Sequence, residues 1–207
     1  MDDTNVRVNS AKAWFLAARP KTLTGAAVPV MIGIACAVAL HGAEVRWVPA
    51  VLCMLFALIM QIDANFVNDY FDFMKGTDDE QRLGPKRACS QGWITAPAMR
   101  SALLLTTAVA CVVGSPLILY GGWEMILVGL ACVVFCFLYT ISLSYMGLGD
   151  VLVLVFFGLV PVSMTYWLVA PASPLLSIPL TVIGLSLACG LVIDTLLVVN
   201  NYRDIDN

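Results

Sequence analysis

Charge is scarce in this chain. Only 12% of its 207 residues are charged and one is histidine, while 60% are hydrophobic and mean hydropathy is +0.90. Soluble domains carry about 25% charged residues, so an ordinary soluble fold is excluded. The lone His41 stands apart from the seven cysteines, most of which fall inside apolar runs, where a thiol behaves as a small polarisable hydrophobe. No disulfides are expected from thiols so placed, and although Cys132 and Cys136 share a helix face, the lone His41 lies in the opposite, outer loop, so no soft-metal site is expected. The N-terminal stretch lacks an apolar core followed by a small-residue cleavage site, so no cleavable signal peptide is expected. Nothing points to nucleic acid, and the net charge of −3 matters less than where the charges lie.

What the chain has is long apolar runs. They fall near Thr22 to Leu40, Trp47 to Phe71, Ala98 to Tyr120, Trp123 to Tyr145, Asp150 to Val169 and Leu175 to Val199. A spanning helix needs roughly 20 apolar residues to cross about 30 Å of hydrocarbon, whereas barrel strands are alternating segments of about ten. The fold class is therefore all-α, a polytopic transmembrane bundle with about six spans in a single domain over residues 1–207. With the N-terminus inside, Arg7, Lys12, Arg19, Lys21, Lys75, Arg82, Lys86, Arg87, Arg100 and Arg203 gather on one side and Arg46 alone on the other. By the positive-inside rule, residues 1–21 and a loop over residues 72–97 are expected to be cytoplasmic, in the inner membrane of the cell.

The second run ends in an unusual group: Asn68, Asp69, Asp72, Gly76, Asp78 and Asp79. An Asp at the centre of a spanning helix costs roughly 3 kcal/mol, so such residues tend to mark function. At about 100° per residue, Gln61, Asn65, Asn68 and Asp72 fall within a stripe about 60° wide, polar from within the membrane to its exit. Gly76 can end the helix and let Asp78 turn back toward Asn68 and Asp72. The sixth run closes in the same manner with Asn200, Asn201 and Asp204. Amide and carboxylate oxygens of this kind suit Mg²⁺, which is usually held by a few carboxylates together with phosphate oxygens of a substrate. Arg82, Lys86 and Arg87 are either diphosphate ligands or simply cytoplasmic positive charges.

The stretch Asn68-Asp69-Tyr70-Phe71-Asp72-Phe73-Met74-Lys75-Gly76-Thr77-Asp78 resembles the first aspartate-rich motif of the UbiA superfamily of intramembrane prenyltransferases. Four further motifs follow the same order: Arg19-Pro20-Lys21-Thr22-Leu23 before it, then Arg82-x-Gly84-Pro85-x-Arg87, Tyr139-Thr140 with Gly147-Leu148-Gly149-Asp150, and Asn200-Asn201-Tyr202-Arg203-Asp204. Within the superfamily they are most similar to the enzymes that prenylate 1,4-dihydroxy-2-naphthoate. The resemblance implies a nine-helix bundle around a central cavity, with two acidic motifs holding Mg²⁺ and a polyprenyl diphosphate. It implies transfer of the prenyl chain to 1,4-dihydroxy-2-naphthoate with loss of carboxylate and diphosphate, giving demethylmenaquinone for menaquinone biosynthesis.

On that resemblance Asn68, Asp72, Asp78, Asn200, Asn201 and Asp204 are the candidate metal ligands, and Asn68, Arg82, Lys86 and Arg87 the diphosphate site. Asp72, Tyr139 and Asp150 are the candidate catalytic residues. Tyr139 either faces an allylic cation, worth about 0.5 to 2 kcal/mol, or anchors at the membrane interface. Asp150 either caps a helix or lies by the aromatic acceptor, and Arg19 and Lys21 either bind the acceptor carboxylate or anchor the chain. Asp194, about two turns before Asn201 on nearly the same helix face, is either a cavity residue or paired with a partner the sequence does not identify. The family's motif usually continues beyond Asp206-Asn207 into three more helices, so the sequence is expected to be a truncated form, inactive alone. Other acceptors within the superfamily remain open. A membrane phosphotransferase is disfavoured because no Asp-Gly-x2-Ala-Arg sequence occurs, and a transporter because no internal repeat is evident.

Overall fold

A computed structural model of the chain describes residues 6–76, 86–141, 148–171 and 177–203. All regular structure among them is helical. A short α1 (Ala11–Ala18) leads into α2 (Leu23–His41) and the long α3 (Trp47–Lys75). Next, α4 (Ala96–Gly114) continues through a 3₁₀ turn into α5 (Ile118–Gly121), followed by α6 (Glu124–Ile141). Then α7 (Gly149–Val153) runs through a π-helical segment, Leu154–Leu159, into α8 (Val160–Val169), and α9 (Leu180–Arg203) comes last. Five helical stretches are long and apolar enough to cross a membrane, with Glu124–Thr140 a shorter apolar sixth. They stand on the six apolar runs, and the chain is a multi-pass helical membrane protein.

Helix α3 positions everything that follows. Its 29 residues rise about 44 Å at about 1.5 Å each, more than the roughly 30 Å of hydrocarbon, so a polar end can clear the bilayer. It continues to Lys75, which makes residues 72–75 part of the helix where a loop was expected. Gly76 closes it at φ 68°, a left-handed conformation glycine adopts without Cβ strain, with its N–H on the carbonyls of Asp72 and Phe73. On the side facing α4, the fully buried Asp63 accepts the hydroxyls of Thr106 and of Thr107, the latter at 2.8 Å. A buried carboxylate without such donors would be costly, and here two adjacent threonines tie the helices together.

The seam between α7–α8 and α9 rests on small residues. A methyl at Gly158 would lie 2.6 Å from the Ser186 carbonyl oxygen and 2.7 Å from the Gly190 Cα, so only glycine permits this approach. Ser163 and Ser186 share a hydrogen bond of 2.9 Å across the same seam. The π segment has an identifiable cause: Pro161 has no N–H to offer the Phe157 carbonyl, and the Cys189 thiol approaches that oxygen at 3.8 Å instead. All seven cysteines are free thiols.

Candidate active site at the polar mouth of an intramembrane cavity

Between α2, α3, α4, α6, the α7–α8 unit and α9 lies a cavity of about 700 Å³. Its walls are mostly apolar, with Phe56, Met60, Val133, Phe156, Met164 and Leu168 among them. Arg19, Thr22, Gln61, Asn65, Asn68 and Tyr139 form a polar group at one end, with Ser115 and Thr165 the hydroxyls elsewhere on the wall. The stripe read from the spacing of α3 is thus real up to Asn68, and it faces the cavity.

Each residue of the stripe is held by a different element. Asn65 is buried and donates through Nδ2 to the Ala18 carbonyl and to Thr22 Oγ1, both at 2.9 Å, while Gln61 donates to its Oδ1 at 3.5 Å. Those bonds bracket Arg19, which takes φ 48°, an uncommon conformation for a residue with a Cβ, and turns the chain from α1 into α2. Asn68 Oδ1 accepts the hydroxyl of Thr140, a buried residue at the end of α6. Lys75 Nζ donates to the Thr140 carbonyl at 2.9 Å, so α3 and α6 are joined twice at this end.

Asp72, only 14% exposed, pairs through Oδ2 with Arg87 Nη1 at 2.5 Å. The same nitrogen donates to the Asn68 carbonyl oxygen at 2.5 Å. Arg87 is 7% exposed and sits on Asp72 without joining the cavity wall. Asp69 points away from the cavity: it is fully buried, and its two oxygens accept the N–H groups of Ala88 and Cys89, each at 2.8 Å.

The remaining candidates divide. Tyr139 lines the cavity, its ring beside Gly149, with Asp72, Asp150 and Asp194 as electrostatic neighbours. Asp150 is exposed in the first turn of α7 and does not reach the cavity wall. Lys21 and Lys86 are exposed, whereas Arg19 is at the mouth. One Asp194 carboxylate oxygen is buried with no hydrogen-bond partner among the described residues. Asn200 and Asn201 lie in the last turn of α9, their side chains outside the description, and Asp78, Arg82 and Asp204 fall outside the described residues. Thr140 and Lys75 also bond at this end, and Asp63 bonds α4 near the middle of α3; none of the three was assigned a site role from sequence. The signal for Asp63 was legible: an acid in one apolar run and the Thr106–Thr107 hydroxyl pair in the next.

The described donors, an amide and a carboxylate oxygen one helical turn apart, are hard ligands of the kind Mg²⁺ takes. An amide oxygen has two lone pairs and a carboxylate about four acceptor sites, so Thr140 and Arg87 do not exhaust them. Among the described residues no group of three or more His, Cys, Asp or Glu side chains is placed to hold a metal.

Fold and site together define a polytopic helical membrane protein whose apolar cavity opens beside an asparagine and aspartate pair at one membrane exit. The chain belongs to the UbiA prenyltransferase family, whose match covers residues 26–207. It is similar to the 1,4-dihydroxy-2-naphthoate octaprenyltransferase of Haemophilus influenzae, 35% identical over 204 residues, which covers 94% of this chain and 65% of that protein. The octaprenyltransferase of the same name from Escherichia coli is 33% identical over 214 residues, 99% of this chain and 67% of that protein. That of Mycobacterium leprae is 36% identical over 195 residues, 93% of this chain and 64% of that protein. The chain thus spans about two thirds of the length of these relatives. No solved structure matches it.

Proposed function

We propose that the protein transfers a polyprenyl chain from its diphosphate to 1,4-dihydroxy-2-naphthoate, a step toward menaquinone. The observation that carries this is Asn68 on the wall of a mostly apolar cavity of about 700 Å³, one helical turn from the Asp72–Arg87 pair. The relatives' names supply the acceptor class.

Asn68 and Asp72 would hold Mg²⁺, which when bound would supply positive charge to the departing diphosphate. Arg87 holds the Asp72 carboxylate, and Thr140 and Lys75 hold Asn68 and the end of α6. The allylic C–O bond breaks with its electron pair leaving on diphosphate, and the apolar wall keeps water from the cation. Tyr139 presents its ring to that cation from the cavity side. The electron-rich ring carbon that bears the carboxylate forms the new C–C bond. Loss of CO₂ returns its electron pair to the ring, leaving it at the hydroquinone level. Arg19, held at the mouth by the Asn65 contacts to either side of it, receives the acceptor carboxylate. On the positive-inside distribution, this mouth faces the cytoplasm of a cell whose inner membrane holds the protein.

The acceptor is tested by presenting full-length protein in nanodiscs with dihydroxynaphthoate and with hydroxybenzoate, each with a radiolabelled prenyl diphosphate. Prenylated naphthoquinol with release of CO₂ is the expected product. Preferential prenylation of hydroxybenzoate would overturn the acceptor assignment.

A further inference from the structure

We infer that Asp69 is a positioning residue that orients Asp72 through Arg87. The inference rests on the reading of Asn68 and Asp72 as the metal- and diphosphate-binding pair. Asp69 follows Asn68 in α3, yet it is turned about 100° away from it and is fully buried. Both of its oxygens are taken by consecutive backbone donors, Ala88 N on Oδ2 and Cys89 N on Oδ1, each at 2.8 Å. Charge-assisted bonds of this kind are about twice as strong as neutral ones, so the turn they hold is fixed to α3.

That turn is internally closed. Gln91 N donates to the Arg87 carbonyl at 3.0 Å and Trp93 N to the Ala88 carbonyl at 2.8 Å. It is also packed: Ala88, Cys89 and Ile94 are buried in one cluster with Phe66, Met99 and Leu103. The residue just before the clamp is Arg87, whose guanidinium reaches Asp72 Oδ2 and the Asn68 carbonyl, both at 2.5 Å. An arginine side chain carries about 2 kcal/mol of rotamer entropy, and anchoring its backbone one residue away keeps its reach on Asp72. A line of contacts therefore runs from Asp69 through the 88–89 backbone to Arg87 and back to α3 one turn on. The aspartate beside the ligand pair supports it from outside the cavity.

The test uses full-length protein in nanodiscs, comparing wild type with Asp69→Asn and Arg87→Lys. Three quantities are read: the Mg²⁺ concentration for half-maximal prenyl transfer, the KM of the aromatic acceptor, and the rate at which a maleimide alkylates Cys89, followed by mass spectrometry. Loss of a group supporting a metal ligand typically weakens metal affinity about 10- to 100-fold. Asp69→Asn is expected to raise the Mg²⁺ requirement by that factor, to leave the acceptor KM within about twofold, and to speed Cys89 alkylation at least about tenfold. Arg87→Lys is expected to raise the Mg²⁺ requirement while Cys89 stays protected, which keeps the inference testable if Asp69→Asn does not fold. An unchanged Mg²⁺ requirement in either variant, or a parallel rise in every KM, overturns it. Should wild type transfer no prenyl group, the functional reading fails by itself. Cys89 then decides the clamp: faster alkylation in Asp69→Asn supports it, and equal rates refute it.

Discussion

Arg46 and Arg87 stand at opposite ends of the bundle, and each is held by a backbone carbonyl. Arg46 donates to the Trp167 carbonyl at 3.3 Å, its backbone N–H bonds the Val169 carbonyl at 2.8 Å, and its guanidinium lies 5.7 Å from the Tyr120 ring centre. No acid pairs with it among the described residues, and its partners are the last carbonyls of α8, where a cation is favoured by the helix dipole. Nearby, His41 and Tyr166 share one hydrogen bond of 3.0 Å. Arg87 instead meets Asp72 beside the polar end of the cavity, within a group that also joins Asn68, Asp69, Thr140 and Lys75. Closing the bundle takes one arginine and an aromatic pair at the first end. The second end holds far more charge than closure requires, as the proposed site at that end would need.

The comparison breaks most visibly at Asp72. Asp72→Ala is expected to lower prenyl transfer by about 10²- to 10³-fold in full-length protein, the scale of removing one group that stabilises developing charge. Diphosphate release from a labelled substrate measures it. Arg87→Ala removes the ion pair on a mostly buried carboxylate, and a loss of about 10- to 100-fold with an increased Mg²⁺ requirement is expected in the same assay. Thr140→Val removes the hydroxyl on Asn68 and is expected to cost about 1 kcal/mol of stabilisation there, roughly a fivefold loss of rate without a change in acceptor KM. Arg46→Gln marks the other end. It is expected to lower thermal stability by about 1 kcal/mol and leave kcat within about twofold, read by a melt in detergent and by turnover. A large loss of turnover in Arg46→Gln would erase the distinction between the two ends.

The six spans were legible because apolar runs of spanning length have few alternatives. Periodicity also placed Gln61, Asn65 and Asn68 on one face correctly, since side chains on a regular helix obey one angle. What escaped depends on partners distant in sequence. Asp69 reads as one more acid in a cluster until the buried turn at Ala88 and Cys89 claims both its oxygens. Arg87 reads as a diphosphate ligand or a topogenic charge, and its place on Asp72 follows from the fold of that turn. The π segment joins a local cause, Pro161, to the close approach of Gly158 and Gly190, which no single span announces. Asp150, read from sequence either as a helix cap or as lying by the acceptor, is exposed in the first turn of α7 and is an electrostatic neighbour of Tyr139.

The proposed mechanism requires oxygen ligands at the mouth of the cavity to grip magnesium and, through it, diphosphate. The direct measurement is diphosphate release from an allylic substrate by full-length protein, titrated with Mg²⁺ after chelation, for wild type and Asn68→Ala. No release is expected from chelated wild type, with recovery on adding Mg²⁺ and a shift of the Asn68→Ala curve to higher Mg²⁺ by about 10-fold or more. Full release under chelation, or superimposable curves for the two proteins, would contradict it.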